Sequence, residues 1–287
     1  MRKTLIKAFF LIIISSALML FLIAFVSNNI KNITLVSFIG YFYLTFFFLK
    51  VFNKKLSALS IITVTFSTIL LLQSFTIYTW FIWDGFGIPA VTAHCLAVIC
   101  AYFYFKSETP KNILPFVLSS CFVIFMFFQG WDYWIHKVQY GAFTGKVSYN
   151  LPVKFVGLDE QKNLIGDDDF QNKIVLLDFW HTRCGVCFEK FPQLQTAYEN
   201  YQNDPDVMIL AVNKPIEEDK PNQAFEMIRE EGYSFSVVIT KDADLAEKFG
   251  VKGYPTTFVI NRNGQIVYKG DIEGAVKMVD ELRESLK

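Results

Sequence analysis

Apolar positions fall into two regimes along the chain. Up to about residue 130 they form long unbroken runs, and from about residue 149 they form short runs separated by charge. Five runs in the first regime approach or exceed the roughly 20 residues that a helix needs to cross a bilayer. They are Leu5 to Ser27 (interrupted only by Lys7), Ile33 to Phe52, Leu56 to Trp83, Ile88 to Phe105 and Ile113 to Gln129. Asn28-Asn29, Asn53-Lys54-Lys55, Asp84-Gly85 and Glu108-Thr109-Pro110-Lys111 separate them, the residue types that cap and break helices. The expectation for residues 1–135 is an all-α transmembrane bundle of about five helices. The first run is read as a span and not a cleaved leader, because its apolar core is too long and no small-x-small site precedes Asn28.

From Tyr149 the pattern becomes that of strands alternating with helices. Val153 to Leu158 alternates like an exposed strand, and Asp167-Asp168-Asp169 marks a turn. Ile174 to Trp180 and Val207 to Val212 are continuous β-branched and aromatic runs, as in strands buried on both faces. A helix is expected from Cys184 towards Asn203, kinked at Pro192. Helices at Asn222–Glu231 and Ala243–Phe249 flank a short strand at Phe235–Ile239. A hairpin, Thr256–Asn261 with Gln265–Tyr268, turns at Arg262-Asn263-Gly264, and Ile272 to Leu286 closes the chain as an amphipathic helix. This order argues an open α/β sheet. The domain expectation is a transmembrane region over 1–135, a linker over 136–147 and an α/β domain over 148–287.

Charge sharpens the division. The chain is neutral overall, yet residues 1–130 hold nine Lys/Arg and two acids, leaving 18 basic and 25 acidic residues in the remainder, a net of −7. An acidic water-soluble half excludes a basic nucleic-acid-binding protein. Eight basic residues (Arg2, Lys3, Lys7, Lys50, Lys54, Lys55, Lys106, Lys111) flank the ends that are inner if the N-terminus is cytoplasmic, against Lys31 alone on the outer flanks before the last span. That asymmetry follows the positive-inside rule. Trp80 and Trp83, and Trp131, Tyr133 and Trp134, would form an aromatic girdle at the outer surface. With an odd number of spans, residues 131–287 are expected outside the cytoplasm of a bacterial inner membrane.

The chemistry concentrates at Cys184-Gly185-Val186-Cys187. Both thiols sit at a helix start just after a buried strand, where unpaired N–H groups and the helix dipole favour a thiolate. Two intervening residues let the second thiol resolve a mixed disulfide formed by the first. A zinc site would need two further ligands, and no other cysteine follows residue 131, so no metal is expected. A purely structural bridge is the competing account, though it closes too small a loop to add much stability. Cys95, Cys100 and Cys121 lie in the spans beside His94. They read as small apolar residues packed between helices, against the alternative of an intramembrane electron relay.

The stretch Phe179-Trp180-His181-Thr182-Arg183-Cys184-Gly185-Val186-Cys187 resembles the active-site segment of thioredoxin-fold proteins. Pro192 falls where that family bends its first helix, and Gly253-Tyr254-Pro255-Thr256-Thr257-Phe258 resembles its cis-proline loop. The segments leading to and following these motifs are similar to the TlpA/ResA branch of membrane-anchored thiol–disulfide oxidoreductases. The resemblance covers about residues 148–287. It implies that Cys184 attacks, Cys187 resolves, the two form a redox disulfide, and Pro255 is the cis-proline. It makes Asp178 the buried carboxylate that relays the resolving thiol's proton, and Tyr254, Trp180, Gly185 and Val186 the substrate-facing surface. Arg183 stands where that family usually has Trp, Lys190 where it has Glu, and His181 where it has a small residue.

The implied activity is a membrane-tethered extracytoplasmic thiol–disulfide oxidoreductase that reduces protein disulfides. It needs no cofactor, and its partners are extracytoplasmic protein thiols and disulfides, a separate membrane electron donor and the lipid bilayer. The alternative is a membrane transporter, sensor or scaffold that carries the thioredoxin-like domain as a regulatory or binding module.

Overall fold

The computed structural model describes residues 2–24, 29–72, 74, 85–106, 113–242 and 244–285. The chain divides into two compact units, Met1–Val138 and Gln139–Lys287.

In the first unit, α1 (Arg2–Ala24), α2 (Ile30–Phe52), α3 (Ala58–Leu72), α4 (Ile88–Lys106) and α5 (Leu114–Phe125) follow one another; α5 continues through a π-turn, Met126–Gly130, into α6 (Trp131–Tyr140). Among the described residues three helices, Ile30–Phe52, Ile88–Lys106 and Leu114–Tyr140, are long and apolar enough to cross a membrane. Phe9–Ile23 and Ala58–Leu72 are apolar but shorter. These three match the second, fourth and fifth expected spans, while the first and third, Leu5 to Ser27 and Leu56 to Trp83, coincide in part with α1 and α3 and run in part outside the described residues. The outer half of the expected third span, with Trp80 and Trp83, lies outside the described residues.

Small side chains let the helices of this unit approach closely. Ala93, Ala97 and Ala101 of α4 are fully buried in one cluster with Phe38, Tyr41 and Phe42 of α2. Polar groups here are held mostly within their own helices: the Thr45, Thr65 and Thr68 hydroxyls donate to carbonyls four residues back. Other bonds cross between helices: Ser15 Oγ to Thr68 Oγ1 at 2.7 Å, and Lys31 Nζ to Asp132 Oδ2 at 2.7 Å. Cys100 is buried, with its sulfur 3.0 Å from Ser119 Oγ. Cys95 is half-buried and Cys121 exposed, and none of the three is in a disulfide.

The second unit is built, among the described residues, on one eight-stranded mixed sheet. Its strands are β1 (Lys146–Asn150), β2 (Val156–Leu158), β3 (Leu164–Gly166), β4 (Ile174–Trp180), β5 (Val207–Asn213), β6 (Ser236–Thr240), β7 (Thr256–Ile260) and β8 (Gln265–Gly270), in the order β1-β8-β7-β4-β5-β6-β2-β3. The centre, β4-β5-β6, is parallel, and β7 runs antiparallel to β4 with Asp178 opposite Thr257. Every residue of β4 is buried, which is why its sequence is an unbroken apolar run carrying a single acid. Four helices complete the unit: α7 (Gly185–Tyr201, with Pro192 inside it), α8 (Gln223–Glu230), α9 (Leu245–Lys248) and α10 (Ile272–Glu284). Phe191 and Leu194 of α7, Phe225 and Ile228 of α8, and Ala275 and Val279 of α10 cover one face of the sheet. Leu245 and Phe249 close the other with Phe155 and Phe170.

Two elements differ from expectation. The segment read as a linker, 136–147, is helix up to Tyr140 and strand from Lys146, because β1 finds its partner only in β8, more than a hundred residues later. Strand β3 likewise exists because β2 folds back on it.

Tyr268 packs closely between two glycines. It is buried, and an added Cβ on Gly274 would stand 2.0 Å from its hydroxyl oxygen, while one on Gly145 would stand 2.3 Å from its ring. Gly274 lies in the first turn of α10, whose N-terminus Asp271 caps by accepting the Gly274 N–H at 2.7 Å. Gly274→Ala is expected to destabilise the unit by about 1–3 kcal/mol, the usual cost of overpacking, read as a lower denaturant midpoint. Pairing it with Tyr268→Phe, which removes the hydroxyl, is expected to recover part of the loss.

Candidate functional site

Strand β4 ends at Trp180, three residues turn the chain, and Cys184 begins the next helix. Cys184 is the N-cap of α7, and its sulfur accepts the Cys187 N–H at 3.2 Å. A sulfur at this position meets both a first-turn backbone amide and the positive end of the helix dipole, the surroundings that stabilise a thiolate. Cys184 and Cys187 are joined in a disulfide. The first is 7% exposed and the second 0%, so Cys184 is the one with access to solvent.

Asp178 lies two residues before Trp180 and so shares its face of the sheet, the face that α7 covers. It is 2% exposed, and its Oδ1 accepts the Thr257 hydroxyl at 2.7 Å. Burial pushes the carboxyl up from 3.8 to about 6, with the Thr257 hydrogen bond working in the opposite direction. A carboxyl group titrating close to neutrality can take and return a proton there. Thr257 carried no signal of its own in the sequence. It sits 79 residues from Asp178, and only the β4–β7 register brings the two together.

The Tyr254–Pro255 peptide is cis, where the resemblance placed it. Pro255 is buried and Tyr254 half-buried, the latter packed against the same cluster that holds both cysteines. Thr256 anchors the loop by donating to the Gly253 carbonyl at 2.6 Å. Gly185 and Val186, between the cysteines, are exposed, and Val186 shows 54% of its surface. Trp180, expected on the substrate-facing surface, does not reach it. The ring is fully buried with Phe188 and Phe191 packed edge-on against it. The reason is its place on a central strand covered on both faces.

A second loop braces the site. Thr182 is buried and donates to Asp219 at 2.5 Å, and Arg183 lies 3.3 Å from Glu218, an exposed pair. Lys190 pairs with Glu273 of α10 at 3.0 Å. A cleft of about 560 Å³, lined by Tyr198, Tyr201, Phe225 and Arg229, lies away from these residues at the starts of β5 and β6. Among the described residues no group of His, Cys, Asp and Glu is arranged to hold a metal ion.

Comparison with known proteins places this geometry. The AhpC/TSA family matches residues 148–269. Thiol-disulfide oxidoreductase ResA of Halalkalibacterium halodurans is 33% identical over 135 residues, which span 47% of this chain and 74% of that protein. The chain belongs to the ResA family of thiol-disulfide oxidoreductases. ResA of Bacillus subtilis is also 33% identical over 135 residues, spanning 46% of this chain and 73% of its own. ResA of Bacillus cereus is 28% identical over 183 residues, spanning 63% and 96%. The family match falls on the thioredoxin-like unit described above, and the disulfide stands just past the C-terminal end of its central strand β4.

The raised Asp178 carboxyl has a consequence for stability. A group whose folded-state value lies above its unfolded value supports folding fully below 3.8 and loses that support as pH rises through about 6. At neutral pH the ionised, buried carboxylate therefore opposes folding by about 3 kcal/mol, at roughly 1.4 kcal/mol per pH unit. Asp178→Asn keeps an oxygen for Thr257 and removes the charge. It is expected to raise the unfolding free energy by about 2–3 kcal/mol at pH 8 and to add almost nothing at pH 4, measured by denaturant titration at both values.

Proposed function

We propose that the chain is a membrane-tethered oxidoreductase that reduces disulfides of extracytoplasmic proteins through Cys184 and Cys187. The observation that carries this reading is the placement of the pair: Cys184 caps α7 with an amide directed at its sulfur, and a buried carboxylate lies on the strand beneath. In the reduced chain, the Cys184 thiolate attacks one sulfur of a substrate disulfide. The S–S bond breaks, the other substrate sulfur leaves as a thiolate, and a mixed disulfide forms. Asp178 takes the proton of Cys187, whose sulfur then attacks that of Cys184. The Cys184–Cys187 disulfide closes, and the second substrate thiol departs. Two electrons pass to the substrate, and its two sulfurs end as thiols, one with the proton that Asp178 took from Cys187 and the other with a proton from water. A separate membrane donor returns the electrons by the reverse exchange.

The surroundings suit a protein substrate. Gly185 has no side chain, Val186 offers an exposed apolar contact, and the backbone at Tyr254 is available to pair with an extended strand of the substrate. The three long apolar helices support a membrane tether. The excess of Lys and Arg on alternate flanks supports a cytoplasmic N-terminus and an extracytoplasmic redox domain.

Two experiments test this reading. With the full chain in detergent, insulin reduction is expected to vanish for Cys184→Ser. Cys187→Ser is expected to stall as a mixed disulfide, and iodoacetamide is expected to modify Cys184 faster than Cys187 at neutral pH. Mixed disulfides accumulating on Cys184→Ser would reverse the two roles, and a folded wild-type chain without turnover would favour a regulatory or binding module. For orientation, a membrane-impermeant thiol reagent is expected to label reduced Cys184 in intact cells. Labelling confined to lysed cells would put the domain on the cytoplasmic side.

A further inference from the structure

The turn that delivers Cys184 is only three residues long, and each of them is held. The His181 carbonyl accepts the Cys184 N–H at 3.0 Å, and the His181 ring nitrogen Nδ1 accepts the Arg183 N–H at 3.2 Å. Thr182 is fastened to Asp219 and Arg183 to Glu218. On another side the His181 ring meets Tyr254 nearly perpendicularly, with centroids 5.0 Å apart. One imidazole thus touches both the turn carrying Cys184 and the loop carrying Pro255. We propose that His181 is a positioning residue for disulfide exchange, its unprotonated Nδ1 clasping the Arg183 backbone while its ring fixes Tyr254, so that the attacking sulfur and the substrate-pairing loop keep one mutual geometry.

The proposal rests on the reading of Cys184 as the attacking sulfur and adds what holds that sulfur in register. Misplacement of about 1 Å between reacting groups lowers rates strongly, so a clasp of this kind acts on the exchange without touching the substrate. Its chemistry is specific to neutral imidazole. A neutral ring accepts only at the nitrogen without hydrogen, and here that nitrogen is Nδ1, so Nε2 carries the hydrogen. Protonation makes Nδ1 a donor that faces another donor, and the clasp opens.

The groups around the ring are Asp219 and Lys214 from the segment after β5, Tyr254 from the proline loop, and Arg183 in its own turn, whose charge is engaged by Glu218. Partial burial is the largest influence and disfavours the charged ring, Asp219 opposes it, and Lys214 reinforces it. The result lies below the ordinary 6.5, which keeps the clasping form at neutral pH and releases it in acid.

The test uses the reduced full chain in detergent, reacting with a disulfide-bonded fluorogenic peptide from pH 5 to 8, each rate divided by the iodoacetamide rate of Cys184. His181→Phe keeps a ring against Tyr254 but has no acceptor. Its exchange is expected to fall about fivefold at pH 7.5, the size of one lost hydrogen bond. His181→Asn offers a side-chain oxygen to the same amide and does not titrate. It is expected to react faster than His181→Phe at pH 7.5 while falling short of wild type, because it restores the acceptor and loses the ring against Tyr254. The ratio of wild type to His181→Asn is expected to decline in acid in step with the ring's protonation, followed by its ¹⁵N resonances. Wild-type rates for His181→Phe, or a ratio flat with pH, with Cys184→Ser inactive, would overturn the role of His181 alone. Exchange surviving in Cys184→Ser would instead overturn the reading of the cysteines.

Discussion

The C-terminal unit depends on the burial of one strand. All seven residues from Ile174 to Trp180 are inaccessible, with β5 parallel on one side and β7 antiparallel on the other. Burial on both faces requires apolar side chains almost throughout, and it explains the cost and the use of the one exception. Asp178 has lost its water, so its carboxyl holds a proton far more readily than an exposed one. The same strand ends where the chain must turn sharply, and that turn sets Cys184 at the N-terminus of α7. A single constraint thus places the raised carboxyl on the helix-covered face of β4 and the two sulfurs just past that strand's end.

The disulfide and its surroundings show a division between rigid and accessible parts. Cys187, Trp180 and Phe191 belong to the packed interior, whereas Gly185 and Val186 face solvent. Of the two sulfur-bearing residues, Cys184 keeps some access to solvent and Cys187 has none. The bracing of the turn by His181, Thr182 and Arg183 reaches two other segments, one at Glu218 and Asp219 and one at Tyr254. None of these contacts is local in sequence except the one between His181 and Arg183.

The membrane-type unit obeys a different rule. Its buried surface mixes large apolar side chains such as Phe38, Tyr41, Phe48 and Ile61 with small ones such as Ala93, Ala97 and Ala101 that let helices approach, and its hydroxyls are satisfied largely within their own helices. Cys100 sits in such a contact, its buried sulfur against Ser119 Oγ and the Pro115 carbonyl.

What the sequence alone determined were the properties that follow from local pattern. The unbroken apolar runs announced membrane-length helices, and the apolar run from Ile174 announced a central strand. The two cysteines at a helix start carried their chemistry in their spacing, because helix N-termini are polarised wherever they occur. Pairing was beyond it. The strand status of Lys146–Asn150 depended on β8, and the partnership of Asp178 with Thr257 depended on β7. The burial of Trp180 and the contact of His181 with Tyr254 likewise required distant segments to come together. Side-chain periodicity states which face a residue occupies, but only the tertiary fold decides what lies opposite that face.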